Sequence, residues 1–448
     1  MKRPQQDLTT GPLGKQIFVF SIPLILSNLL QVLFNMADVA VVGRFAGAMA
    51  LGSVGSTTIL VSLFTGLLIG MSSGVNVLTA LHFGAGNRRE LSETVHSSAL
   101  LCSLLGLGLL AVGVVFARGI MELMNTKPEL MDGAVLYLRI YFLGMPALAV
   151  YNFGNAVFSA VGDTRRPLRY LSLAGAVNLV LNLFFVIVCR LSVAGVAIAS
   201  VVSQYISAVL IARALFRCGG EVYGLRLADL RLSKRRAKTI LAIGIPSGLQ
   251  NAIFAVANLF IQVGVNTFDA IMVAGNSAAA NADPLVYDVM AAFYMACSSF
   301  IGQNYGAGNK DRIRKSYLIS MGYSFGAGLM LGLLLLAFGP AFLSLFTDEP
   351  AVVQAGMRRL TIMALSYSIS AFMDCTIAAA RGLGKSLAPM VIVILGACVF
   401  RVVWVCTVFA HFRTISSLYL LYVFSWTITG AAEIWYFIGA YRRETKDM

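Results

Sequence analysis

The chain has 448 residues, of which 58% are hydrophobic and only 12% charged, and its mean hydropathy is +0.81. Soluble domains carry roughly 25% charged residues, and a single soluble core stops growing near about 250–300 residues, so the surplus apolar surface belongs in lipid. The net charge of +14 could suit a nucleic-acid binder, but the basic residues fall between apolar runs, as in the loops of a membrane protein, and no nucleic-acid partner is expected.

Apolar runs separated by polar or Gly/Pro breaks predict an all-α polytopic membrane protein of about twelve transmembrane helices. The predicted spans are 16–41, 53–82, 92–118, 133–158, 168–189, 193–217, 239–264, 272–302, 316–346, 355–380, 387–411 and 415–441. The first is too long for a signal peptide and is read as an uncleaved span. With the N-terminus inside, 25 basic residues lie in or beside the inner segments and seven in the outer loops, while Arg139 and Arg401 fall within spans. This positive-inside bias places both termini in the cytoplasm. Seven cysteines, most of them inside apolar runs and none in a CxxC pair, argue against a disulfide framework or a zinc site.

The chain repeats itself. Pro23, Asn28 and Asn35 recur 223 residues later as Pro246, Asn251 and Asn258. The run Phe83-Gly84-Ala85-Gly86-Asn87 recurs as Tyr305-Gly306-Ala307-Gly308-Asn309, and Gly162 and Pro167 match Gly384 and Pro389. Such a register predicts two six-helix lobes from a duplication. Six spans bring the chain back to its starting side, so the repeat is parallel. The predicted organisation is an N-lobe over 1–217, a cytoplasmic basic linker over 218–238 and a C-lobe over 239–448. In the linker, Leu225, Leu227, Leu230 and Leu232 alternate with basic residues, as in a surface segment.

No HExxH, GxSxG or Walker motif is present, so neither an enzyme nor ATP-driven transport is expected; there are no catalytic residues or cofactors to assign. An ion gradient must supply any energy. Ionisable groups inside spans therefore carry the information, because each is costly in lipid. Asp38 shares its helix with Asn28, Gln31 and Asn35, and Gln31, Asn35 and Asp38 lie on one face. A carboxylate flanked by amide oxygens suits a proton or a transient sodium ion, the one metal the pattern admits. Its position, about 33 Å along the span, also fits a residue at the outer interface. Pro23 and Pro246 interrupt the backbone hydrogen bonds of their helices. Asn178 and Asn182 share a face of the fifth span, with Asn152 and Ser200 on the fourth and sixth. These polar groups equally suit hydrogen bonds that hold a bundle together. Gly66, Gly70 and Gly74 form a small-residue stripe for helix packing. In the second half, Arg401 and Glu433 are candidates to pair, Asp374 to titrate or to line a cavity, and Asn281-Ala282-Asp283-Pro284 to form an unwound start to a helix.

The segments Asp7-Leu8-Thr9-Thr10-Gly11-Pro12, Pro23-Leu24, Asn35-Met36-Ala37-Asp38 and Val42-Gly43-Arg44 resemble the opening of multidrug and toxic compound extrusion (MATE) transporters. The loops Gly84-Ala85-Gly86-Asn87 and Gly162-Asp163-Thr164-Arg165-Arg166-Pro167 are similar to that family's loops, and the resemblance extends over essentially the whole chain. It implies a V-shaped pair of lobes around a central cavity, acting as a monomer in a bacterial-type inner membrane. It implies export of organic cations or other amphipathic small molecules against sodium or protons by alternating access. It carries an ion-coupling site over to Asp38, Asn152, Asn178, Asn182 and Ser200, with Gln31, Asn35, Pro23 and Asp374 as supporting or cavity residues. Where many relatives have a second aspartate on the fifth helix, this chain has Asn182. The alternative from the same superfamily is a flippase of lipid-linked oligosaccharides or lipids, whose cavities are cationic; here only Arg139 and Arg401 are intramembrane arginines.

Overall fold

A computed structural model describes residues 7–446 and Met448. Among these residues there is helix and turn and no strand. Lipid leaves this as one of two solutions: with no water to satisfy backbone N–H and C=O groups, each spanning segment must bond within itself or close into a barrel.

The helices follow the predicted spans. They are α1 (Leu13–Val41), α2 (Ala48–Gly84), α3 (Arg88–Leu123), α4 (Pro128–Phe142), α5 (Met145–Ala160), α6 (Arg165–Leu183) and α7 (Ser192–Arg217). The second half contains α8 (Lys234–Val265), α9 (Ala270–Ala280), α10 (Ala282–Gly306), α11 (Lys310–Leu343) and α12 (Pro350–Gly382). The next span, Leu387–Phe412, strings α13 (Leu387–Val393), α14 (Phe400–Trp404) and α15 (Ala410–Phe412) together through π-helical turns. The last helix is α16 (Ile415–Glu444). Eleven of these segments are long and apolar enough to cross a membrane. The bent pair α4–α5, angled by 46°, makes a twelfth if it counts as one span. Pro146 explains that break, because it has no N–H to return to the carbonyl of Phe142. Asn281 likewise separates α9 from α10, but Asp283 and Pro284 are helical. The unwound start expected there is a single turn residue, since a proline in the first turn costs no hydrogen bond.

The chain divides into two compact units. Unit 1 contains Leu26–Leu249; unit 2 contains Leu8–Ile25 and Gln250–Met448. Both α1 and α8 thus contribute to two units, and each changes unit within four residues of its proline, Pro23 or Pro246.

Within unit 1, small residues let backbones approach. A Cβ on Gly70 would stand 2.2 Å from the backbone nitrogen of Gly248, and one on Gly74 would stand 2.6 Å from the carbonyl of Ile240. The segment before α8 is pinned to the start of α3. His96 Nε2 accepts from the Arg226 N–H at 3.0 Å, and Ser97 Oγ donates to the Arg231 carbonyl at 3.1 Å and accepts from the Ser233 N–H at 3.0 Å. Leu225 is buried there, and Arg236 pairs with Glu90. Within unit 2, the turn that precedes α1 is clamped by Arg312, whose guanidinium donates to the carbonyls of Leu8, Thr10 and Gly11. Phe20 packs edge-on against Phe300, with ring centroids 5.5 Å apart.

Candidate functional site

In unit 1, helices α1, α6 and α7 converge on Asp38. Gly175 permits the contact between α1 and α6: a Cβ there would overlap the ring of Phe34. Phe34 and Asp38 are one turn apart, and so are Gly175 and Asn178 and then Asn182, so one close approach brings both polar rows together. Asn182 donates through Nδ2 to Asp38 Oδ1 and, at 3.2 Å, to Asn178 Oδ1. Ser200 Oγ on α7 donates to Asp38 Oδ2 at 3.3 Å. The carboxylate is therefore held at both oxygens by donors from two other helices. Asn178, Asn182 and Ser200 are buried, and among the described residues the carbonyl oxygen of Asn182 has no hydrogen-bond partner. A buried acceptor left over beside a carboxylate is an unusual expense; turning the Asn182 amide over would aim that oxygen at the same point as the carboxylate. Val41, Val42, Val186, Val193 and Val196 form a buried apolar cluster on the same three spans.

Unit 2 holds a different arrangement. A cavity of about 490 Å³ opens among α8, α10, α12, α14 and α16. Phe254, Tyr287, Tyr294, Tyr422 and Trp426 line it, together with Asp288, Asp374, Arg381 and Arg401. Arg401 is buried, donates to Asn258 Oδ1 at 3.1 Å, and lies over the rings of Tyr422, Phe254 and Trp426 at 4.7, 5.5 and 5.9 Å. Aromatic faces and an amide oxygen thus replace the carboxylate that usually stabilises a buried guanidinium. Asp283, at the cavity edge, is neutralised by Arg359 at 2.5 Å and accepts from the hydroxyl of Tyr367. Among the described residues, no cluster of three or more His, Cys, Asp or Glu side chains could hold a metal ion.

Comparison with known proteins shows the family of the chain. The MatE family model matches residues 23–184 and 246–407, one copy for each half of the internal repeat. The chain belongs to the MatE family. The probable multidrug resistance protein YpnP of Bacillus subtilis is 27% identical over 81% of this chain and 80% of its own length. An FAD transporter of Shewanella oneidensis is 24% identical over 79% of this chain and 78% of its own. A solved outward-facing multidrug resistance MATE family transporter of the MOP superfamily superposes with a TM-score of 0.93, covering all of both chains at 22% identity.

Of the site residues expected from sequence, this MatE chain brings Asp38, Asn178, Asn182 and Ser200 into one hydrogen-bonded cluster. Asn152 is not joined to it by a hydrogen bond; its backbone carbonyl accepts from Ser72 at 2.5 Å. Gln31 and Asn35 share the α1 face of Asp38 yet are exposed and not bonded to it. Pro23 is buried in the part of α1 that belongs to unit 2, away from the cluster's end of the helix. Asp374 lines the unit 2 cavity. The pairing expected of Arg401 with Glu433 does not form: Arg401 is satisfied by Asn258, Ser425 and its rings, and among the described residues both Glu433 oxygens are buried without a hydrogen-bond partner. Sequence reading missed Tyr137 and Tyr141 on α4, stacked at 5.7 Å within electrostatic reach of Asp38. Their four-residue spacing is a helical-face signal, but it does not say which helix they face.

Proposed function

We propose that this protein exports amphipathic small molecules across a bacterial-type cytoplasmic membrane in exchange for sodium or protons, with Asp38 as the coupling group. The observation that carries the reading is the carboxylate of Asp38, held inside a membrane-spanning bundle by Asn182 and Ser200. An ionisable side chain in that setting marks an ion or substrate path. The multidrug resistance names of the relatives support the class of cargo.

The coupling follows from competition. An ion arriving at Asp38 takes the place of the donated hydrogen bonds. A proton turns the carboxylate into a donor, for which the spare Asn182 oxygen is an acceptor. Sodium needs several oxygens, which Asp38, Asn182, Asn178 and Ser200 supply. Either ion therefore favours a different local bonding pattern from the ion-free state, and only such a differential can shift the transporter between states open to opposite sides. Export then requires no covalent chemistry. Both termini lie in the cytoplasm in this reading, and one chain suffices for the cycle.

A second reading of the cargo has its own support. The unit 2 cavity combines two arginines with five aromatic rings, and one relative is an FAD transporter. Anionic aromatic cargo suits those groups, since guanidinium recognises phosphate and carboxylate by paired hydrogen bonds.

The test is efflux of a fluorescent cationic dye from proteoliposomes under separate sodium and proton gradients, wild type beside Asp38→Asn. Flux driven by one gradient and lost in the variant supports Asp38 and names the ion. Flux kept in the variant rejects Asp38. Dye retention with FAD export supports the second reading.

A further inference from the structure

We propose that Glu433 is a second proton-binding group of this transporter, housed in unit 2 and switched by Arg381. The proposal extends the exchanger reading above, and its test is independent of cargo and gradient.

Glu433 lies on α16 with a relative exposure of 0%, and among the described residues neither carboxyl oxygen meets a hydrogen-bond donor. An ionised carboxylate without donors in a protein interior is among the most costly arrangements available, whereas the neutral acid loses far less on leaving water. The neutral acid is the form that fits this geometry. The charged groups that act on Glu433 are Arg381 and Asp374, both from α12. They stand two turns apart and line the same cavity. Segments within 387–412 also pack on α16 and add Arg401, engaged by Asn258 and aromatic rings, Cys398, which is buried, and Cys406 and His411 toward the far end. From α11, Tyr317 sets its ring 4.6 Å from that of Phe437 and shares a hydrogen bond with Thr376, while Tyr305, Lys310 and Lys385 meet the last turn at Glu444 and Thr445.

Arg381 is bonded incompletely. One terminal nitrogen donates to Gln250 Oε1 on α8 at 2.7 Å, and its Nε is buried without an acceptor among the described residues. No ion pair joins Arg381 to either acid among the described residues within 4.0 Å, although all three share one buried region. A spare donor and a spare acceptor of opposite potential charge thus lie near each other, unjoined. Loss of the Glu433 proton to water in the cavity leaves a carboxylate that Arg381 can join by leaving Gln250. Uptake of a proton from that water reverses the exchange. Arg381 keeps its charge throughout, so one proton is bound or released in each cycle. The result is a two-position element that exchanges an α8–α12 contact for an α12–α16 contact. Asp38 has no such partner: its contacts in unit 1 are neutral amide and hydroxyl groups.

The experiment is infrared difference spectroscopy of the full-length protein in lipid vesicles, stepped from acidic to alkaline pH. Wild type, Asp38→Asn and Asp374→Asn should show a protonated-carboxyl C=O band that disappears at high pH and that Glu433→Gln lacks, a loss equal to one carboxyl group. Glu433→Asp keeps a carboxyl and should move the band rather than remove it, which guards against a Gln variant that fails to fold. The proposal is overturned if Glu433→Gln and Glu433→Asp both leave the wild-type spectrum intact, or if the band is lost in Asp374→Asn instead. Because no dye is present, this result can fail while Asp38-coupled export succeeds, and the reverse.

Discussion

The two halves of the chain share a register and differ in charge. On α1, Asn35 is followed by Asp38; 223 residues later, on α8, Asn258 is followed by Ile261. The fifth span of the first half offers the amides Asn178 and Asn182, whereas the corresponding span of the second offers Arg401. Unit 1 consequently assembles a carboxylate among neutral donors, and unit 2 assembles a guanidinium among aromatic faces. Packing residues keep the repeat because both halves must build the same helices. The polar residues inside are free to diverge, since a buried charge needs only local partners. A duplicated fold can in this way house two unlike sites.

The largest effect should come from removing the charge that distinguishes unit 1. Asp38→Asn keeps the shape of the side chain and one acceptor oxygen but cannot bind a proton or hold a cation by charge. Gradient-driven efflux should fall by more than about tenfold, because losing over ~1.4 kcal/mol of ion binding already changes an equilibrium by that factor. Unchanged thermal unfolding of the variant in detergent would attribute the loss to coupling rather than folding. If efflux persists under the same gradient, the division of labour between the halves is wrong.

A packing change should come next. The Cβ of Gly70→Val would press on the backbone of Gly248 and Gly244, which cannot yield as a side chain would. Destabilisation of about 3 kcal/mol is expected, at the upper end for overpacking, and appears as a lower unfolding midpoint and lower yield. In unit 2, Gly326 on α11 meets nothing within 4 Å of its would-be Cβ. Gly326→Ala should raise stability by about 0.5–1 kcal/mol, the helical advantage of alanine. Equal effects at the two glycines would mean that α2 does not approach α8 closely.

Spans, repeat and site differ in how far the amino-acid sequence reveals them. Every span was legible because an apolar run of about 20 residues matches the thickness of the hydrocarbon core and is rare in soluble folds. The repeat was legible because prolines and glycine loops recur in order. Asp38 was legible because an acid in a span is rare. Its partners were readable only in part. Asn178, Asn182 and Ser200 could be set on helix faces by spacing, but spacing cannot say which face meets which. Gln31 and Asn35 share the α1 row with Asp38 and still stay exposed, because α6 meets α1 through Phe34 against Gly175. Arg401 and Glu433 have opposite charges on successive spans, which favours a pair on paper; three rings and Asn258 occupy Arg401 instead.

The matched asparagines sharpen the comparison at a smaller scale. Asn258→Ala removes the acceptor of a buried arginine, which should cost about 1–3 kcal/mol and lower the unfolding midpoint. Asn35→Ala, at the same place in the other half, removes an exposed side chain without a bond to the cluster and should change stability by less than about 0.5 kcal/mol. Equal costs would show that the repeat conserves a structural role for this asparagine in both halves.

The smaller of the two effects on efflux belongs to Ser200, the longer of the two contacts to Asp38 at 3.3 Å. Ser200→Ala removes one donor while Asn182 continues to hold the other carboxylate oxygen. A neutral hydroxyl bond is worth about 1 kcal/mol net, so the ion concentration for half-maximal efflux should change by roughly fivefold, with maximal efflux retained. The direction identifies the ion. Sodium would lose an oxygen ligand, and more of it would be needed. A proton would instead bind more readily, because a donor that favours the charged carboxylate is gone, and half-maximal efflux would be reached at higher pH. Measuring the same variant under each gradient therefore separates two mechanisms that Asp38→Asn, which abolishes both, leaves together.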